Sequence, residues 1–187
     1  MVNKAFRASR SPWIWAALVA IPLWPSAKAT AVQSAQAVIP VETAIVSASQ
    51  RLAQAPGQFN DAPGGPELNA EGLALYEQGR FQEALVLFEQ LLALRQQELT
   101  TDNPLLAVAL NNVAEVNRAL GNFELAEPMY LRALELYGIS FPADHPELAV
   151  PLNNLGLIYI QLGRYDEAEP LFQQAIAIQD KAETSWL

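Results

Sequence analysis

The sequence predicts an all-α protein built as an array of about three stacked helix pairs, an α-α solenoid. Three observations predict it. First, a block of sequence returns after 42 residues: Asn103-Pro104 as His145-Pro146, Leu110-Asn111-Asn112 as Leu152-Asn153-Asn154, Gly121-Asn122-Phe123 as Gly163-Arg164-Tyr165, and Ala126-Glu127-Pro128 as Ala168-Glu169-Pro170. A fainter copy precedes them in Leu68-Asn69, Gly79-Arg80-Phe81, Ala84 and Phe88. Second, apolar residues within each copy recur at three- and four-residue steps, the period of a helix that buries one face. Third, a glycine divides each copy in two, and glycine readily takes the left-handed conformation that ends a helix. A fixed period of this length belongs to a stack of units that bury their faces on one another, not to a globular enzyme.

The chain has 187 residues, and residues 1–29 have the layout of a secretory signal peptide. Lys4, Arg7 and Arg10 form a basic start, Trp13 to Trp24 is an apolar stretch of 12 residues, and Ala27-Lys28-Ala29 offers small residues for cleavage, with Ala31 and Ala37 as alternative last residues. As a helix that stretch spans about 18 Å, short of the roughly 30 Å needed to cross a bilayer, and Pro22 and Pro25 interrupt it. The expectation is export to the periplasm or beyond, with no membrane association after cleavage; an uncleaved anchor is the rival reading. Residues 30–65 form an Ala/Gln/Pro-rich linker, expected to be mostly disordered, in which Val41, Ala44, Ile45, Ala48 and Leu52 fall at helical spacing and suggest a helix, either transient or docked on the array.

From residue 66 the paired helices begin, with repeats over about 66–99, 104–137 and 146–180 and a tail over 182–187. The spacing predicts helices near 66–78 and 82–98 in the first repeat and near 104–119 and 124–137 in the second. In the third, Pro146 stands at a first helical turn, and Leu148, Leu152, Leu155 and Tyr159 make one stripe. Gly163 ends that helix, Asp166 with Glu169 has the form of a capping box, and Ala168, Leu171, Phe172, Ala175 and Ile178 make the second stripe. Pro151 falls inside a predicted helix and should remove a backbone hydrogen bond and bend it. Pro128 and Pro170 should fall at the end of a first turn, where the loss is smaller.

Composition excludes several functions. The formal net charge is −9, and cleavage after Ala29 removes four cations and no acidic residue, leaving −13. Such a surface repels phosphates, so nucleic acid and anionic membranes are not expected partners, and neutral or basic proteins are. There is no cysteine, which excludes thiol chemistry and thiolate metal sites, and leaves the fold to stand on its core. The one histidine, His145, sits beside a proline in a turn, a place for packing and capping. With no second histidine and no phosphate-cradling glycine loop, no catalytic residue, metal or cofactor is expected. Glu167 and Glu169 lie at a helix start, where they favour the dipole.

These residues resemble tetratricopeptide repeats, in the longer variant found in kinesin light chains and many bacterial proteins. The resemblance covers about 66–181. The last repeat carries it best, in Leu152, Leu155, Gly156, Tyr159, Gly163, Tyr165, Ala168, Phe172 and Ala175. The middle repeat has Leu110, Val113, Ala114, Gly121, Phe123, Ala126, Tyr130 and Ala133, with Asn117 in place of the tyrosine. The first has Leu68, Gly72, Gly79, Phe81, Ala84 and Phe88, and departs at Glu71 and Leu91. The resemblance implies a right-handed superhelix that binds a protein or peptide, acts as an adaptor or scaffold, and performs no chemistry.

It also implies that the first helix of each repeat lines a concave groove. That groove would present Asn69, Leu73, Tyr76 and Glu77, then Asn111, Asn112, Glu115 and Arg118, then Asn153, Asn154, Leu157, Ile160 and Gln161. Similar asparagines in family members hold peptide backbones, since an amide both donates and accepts; the alternative is that they join neighbouring helices. Arg118 stands nearly alone beside Glu77 and Glu115, which excludes the clamp for a terminal carboxylate that some members carry. The groove should be mildly acidic to neutral, with apolar patches at Leu73, Leu157 and Ile160.

A second association surface is expected at the end of the array. Leu87, Leu94, Met129 and Leu136 should meet the following repeat, and their counterparts Leu171 and Ile178 have no follower. Trp186 and Leu187 would fold back over them, or a partner, including a second copy, would cover them and give weak self-association. The chain would then be a structural or assembly component.

Overall fold

The computed structural model describes residues 61–184. The expected signal peptide, the helical spacing at Val41–Leu52 and the tail residues Trp186 and Leu187 lie outside the described residues. Six α-helices follow one another: α1 (Gly65–Glu77), α2 (Phe81–Glu98), α3 (Pro104–Ala119), α4 (Phe123–Ser140), α5 (Ala149–Gln161) and α6 (Tyr165–Thr184), with a 3-10 turn at Pro146–Leu148 before α5. They stack as three antiparallel pairs, α1 with α2, α3 with α4 and α5 with α6, as the period predicts. Among the described residues no helix is long and apolar enough to cross a membrane.

Each pair turns at its glycine. Gly79, Gly121 and Gly163 have φ of 74°, 80° and 74°. In each case the glycine N–H bonds a carbonyl three residues back (Tyr76, Arg118, Ile160), and the following N–H bonds one five back (Leu75, Asn117, Tyr159), at 2.7–3.0 Å. That paired closure satisfies carbonyls the helix would otherwise leave open.

Small residues then let the pairs close. A Cβ added at Gly72 would lie 2.7 Å from the Phe88 ring, and one added at Gly156 would lie 2.8 Å from the Phe172 ring. The middle repeat has Ala114 there, packed in one cluster with Tyr130. Asn117, where the last repeat has Tyr159, also has a reason. Tyr159 lies under the Arg164 guanidinium at 4.0 Å, and one repeat earlier that pair becomes Asn117 and Asn122, whose side chains bond at 3.2 Å.

The prolines differ from expectation. Pro151 does not break a helix: residues 146–148 form a 3-10 turn and α5 starts at Ala149, so Pro151 falls in a first turn whose N–H groups have no helical acceptor. His145 caps the 3-10 turn by accepting the Glu147 N–H at 3.4 Å, and its ring stacks on Phe141 at 4.0 Å. Pro128 and Pro170 stand deeper than expected, inside α4 and α6, because those helices begin at Phe123 and Tyr165. For the same reason Asp166 and Glu167 occupy the first turn of α6. The capping box expected of Asp166 with Glu169 does not form; Glu169 accepts instead from Gln173 at 3.1 Å.

The end faces of the described array differ from the contacts inside it. Val113 and Val116 of α3 are wholly buried, but the positions one repeat earlier in α1 are Glu71 and Ala74, both exposed. No described helix covers that side of α1, so the departure at Glu71 puts a charge in water where the later repeats need an apolar contact. At the other end, Glu127, Leu134 and Tyr137 of α4 meet the last repeat, Glu127 through an ion pair with Arg164 at 2.8 Å. Their counterparts in α6 are Glu169, Ile176 and Gln179. The apolar end expected at Leu171 and Ile178 is therefore corrected. Ile178 is 3% exposed and shares a core cluster with Leu148, Leu152 and Ala175, and Leu171 is half-buried against the same core. Residues 168, 171, 172, 175 and 178 make one helical face, and α6 spends it on α5 of its own pair.

Candidate functional site

The first helices of successive repeats touch one another directly through polar side chains. The Asn112 side-chain amide of α3 donates to the Asn69 side-chain oxygen of α1 at 2.8 Å. The centre of the row is Glu115, wholly buried. Its Oε1 accepts from the Tyr76 hydroxyl at 2.6 Å and from Arg118 Nη2 at 2.6 Å. Its Oε2 accepts from the Tyr130 hydroxyl at 2.6 Å, from Arg118 Nε at 3.0 Å and from Asn154 Nδ2 at 3.0 Å. A carboxylate offers about four lone-pair sites, so five donors from α1, α3, α4 and α5 saturate it. Burial acts to lower the Arg118 pKa, but the bonds and charge of Glu115 prevail and raise it. Tyr130 is held well above the usual phenol range by burial first and then by the Glu115 charge. The pair is thus a fixed, locally neutral ion pair, and Glu115 has no capacity left for a ligand.

The sequence-predicted groove residues separate into two sets. Asn112, Glu115 and Asn154 are 0–1% exposed and join helices, the helix-joining role left open for the asparagines. Leu73 (8% exposed) belongs to the core between α1 and α3, and Asn111 and Asn153 are 4% and 5% exposed. Asn153 donates to the Asn154 carbonyl at 3.4 Å. The second set reaches the surface: Tyr76, Arg118 and Ile160 are half-buried at equivalent positions of α1, α3 and α5, with Asn69 and Leu157 also half-buried, and Glu77 and Gln161 exposed. Among the described residues the side-chain oxygens of Asn111, Asn112 and Asn153 are buried with no hydrogen-bond partner, and all three are acceptors.

Sequence reasoning missed Tyr130 and Asp61. The signal for Tyr130 lay in the register: where the first and last repeats have Leu73 with Phe88 and Leu157 with Phe172, the middle one has Glu115 with Tyr130. The carboxylate and the hydroxyl arrived together. Asp61 lies in the stretch assigned to the linker, yet it binds Arg95 through two bonds of 2.9 and 2.5 Å, and Arg95 donates also to the Leu105 carbonyl at 2.8 Å. Arg95 is 2% exposed, so this first described residue of the chain neutralises a buried guanidinium. Among the described residues no cluster of three or more His, Asp or Glu could hold a metal ion.

Side chains in register along the first helix of each pair, bonded from repeat to repeat, define a helical-repeat scaffold. The tetratricopeptide-repeat family model matches residues 68–139 and 139–181, and the chain belongs to that family. Among solved structures it is similar to the TPR-like repeats of a protein described as a kinesin light chain of Podosopora anserina, with a TM-score of 0.60 and 22% identity over 66% of this chain and 59% of that one. A single-substitution form of the same repeats gives a TM-score of 0.59 and 22% identity over 67% and 59%. At this identity the likeness speaks for the fold, and the chain spans about 59% of the length of those structures. No curated protein matches the sequence.

Proposed function

We propose that the chain is an adaptor that holds a neutral or basic protein segment in the groove lined by α1, α3 and α5, outside the cytoplasm. The observation that carries this reading is the surface row Tyr76, Arg118 and Ile160, one residue from each repeat. Beneath it Glu115 consumes the charge of Arg118, leaving aromatic, guanidinium-plane and aliphatic surface without a net field. Such a row suits a segment with apolar side chains and does not suit a lone carboxylate. The buried side-chain oxygen of Asn111 supports the same reading, because rotation of its terminal amide would offer it to a backbone N–H group of a bound segment. The formal charge of −9 supports a neutral or basic partner at long range.

Affinity purification of the chain from its own host tests the groove. Ile160→Asp should reduce recovery of the captured partner at least tenfold while the far-ultraviolet circular dichroism is unchanged; equal recovery would refute groove binding. The export reading has its own test, N-terminal sequencing of the protein recovered from that host. A chain starting at Thr30 supports it, and one starting at Met1 in the soluble cytoplasmic fraction rejects it.

A further inference from the structure

The outer face of α4 differs from those of the other second helices. Leu125, Leu131 and Ile139 are 56%, 46% and 61% exposed. Their counterparts in α2 are Glu83, Glu89 and Gln97, and in α6 Glu167, Gln173 and Lys181. At the helix start the other two repeats close an ion pair on this face, Arg80 with Glu83 at 2.5 Å and Arg164 with Glu167 at 2.7 Å, where the middle repeat has Asn122 and Leu125. On its outer face α2 exposes one large apolar side chain, Val86 at 51%, where α4 exposes three.

Along one line of that face an aliphatic residue stands at each end, with Arg132 midway between them. Leu125, Arg132 and Ile139 stand seven residues apart, which places them on one stripe about 21 Å long. Arg132 lies at its centre and Glu135 on its flank, bonded to each other at 2.5 Å, with side chains 49% and 61% exposed.

We propose that α4 is a self-association surface, packed antiparallel on α4 of a second copy across a two-fold axis. A two-fold interface must be complementary to itself. Here the axis falls near Arg132, Leu125 of each copy meets Ile139 of the other, and Arg132 of each copy reaches Glu135 of the other. The stripe carries one cation and one anion, so it is locally neutral in a strongly acidic chain and the copies meet where they repel least. This surface is on the second helix of its pair and the groove row is on the first helices, so a dimer presents two grooves.

Sedimentation equilibrium of the purified chain tests the proposal. The unaltered chain should show a reversible monomer–dimer equilibrium, and Leu125→Glu or Ile139→Glu should weaken it at least tenfold with the helical circular dichroism unchanged. Arg132→Glu and Glu135→Arg should each weaken it when alone, since each stripe then carries a single sign. Mixed in equal amounts they should associate again, because every facing pair is then opposite in charge. A strict monomer up to about 1 mM, a dimer insensitive to the α4 substitutions, or failure of the mixture to associate would overturn it.

Discussion

The Tyr130 hydroxyl donates to the Glu115 carboxylate at 2.6 Å, and both groups are wholly buried. The first and last repeats place leucine and phenylalanine at these two positions, so the middle repeat exchanges an apolar contact for a polar network tied to its neighbours on both sides through Tyr76 and Asn154. Removing the carboxylate alone strands the Tyr130 hydroxyl in the core. Glu115→Leu should destabilise the fold by about 3 kcal/mol, in the range for breaking a buried charged pair. Adding Tyr130→Phe should return part of that loss. Denaturant unfolding of the two single variants and the double variant measures the coupling; strictly additive changes would contradict a shared network.

The same bond predicts an alkaline limit. Burial and the Glu115 charge keep Tyr130 protonated in the folded chain well above the usual phenol pKa. The unfolded chain releases that proton from about pH 10 upward, so it binds fewer protons than the folded chain and stability falls as pH rises beyond that point. Below about pH 10 both states hold the proton and Tyr130 adds no slope. The alkaline slope of stability should shrink in Tyr130→Phe, and one tyrosine should resist ionisation in an ultraviolet titration until the protein unfolds.

Close approach of the paired helices predicts a graded response at Gly156. Alanine already stands at the equivalent position 114, against Tyr130. Gly156→Ala should therefore be nearly neutral, the crowding of Phe172 being offset by a helix-propensity gain of up to about 1 kcal/mol. Gly156→Val should destabilise by about 2 kcal/mol, because its branch has no space to enter. Thermal unfolding midpoints of the two variants decide it.

Asp61 predicts a contribution to stability from the stretch assigned to the linker. Asp61→Ala leaves Arg95 buried and short of its carboxylate and should lower stability by about 3 kcal/mol. Asp61→Ala combined with Arg95→Met should lower it less, since the apolar pair leaves no stranded charge. Urea unfolding of both variants would contradict this ion pair if the double variant were the weaker one.

The repeat period, the glycine stops and the small residues at helix crossings were legible in the sequence because each answers a local demand: a left-handed turn, a buried stripe, a crossing too close for a large side chain. These determined the helix pairs and the class of protein. The start of α5 was not legible, since a 3-10 turn and an α-helix share their early apolar spacing, and only the assembled chain shows which side of Pro151 the helix begins. The fate of the groove asparagines and of Leu171 and Ile178 was not legible either. A helical face can serve its own pair or the next, and sequence spacing is the same in both cases. The tertiary structure decided those points by neighbours: Asn112 found Asn69, Asn154 found Glu115, and Ile178 found Leu148 and Leu152. Periodicity fixes which residues share a face; only packing in three dimensions selects what that face meets.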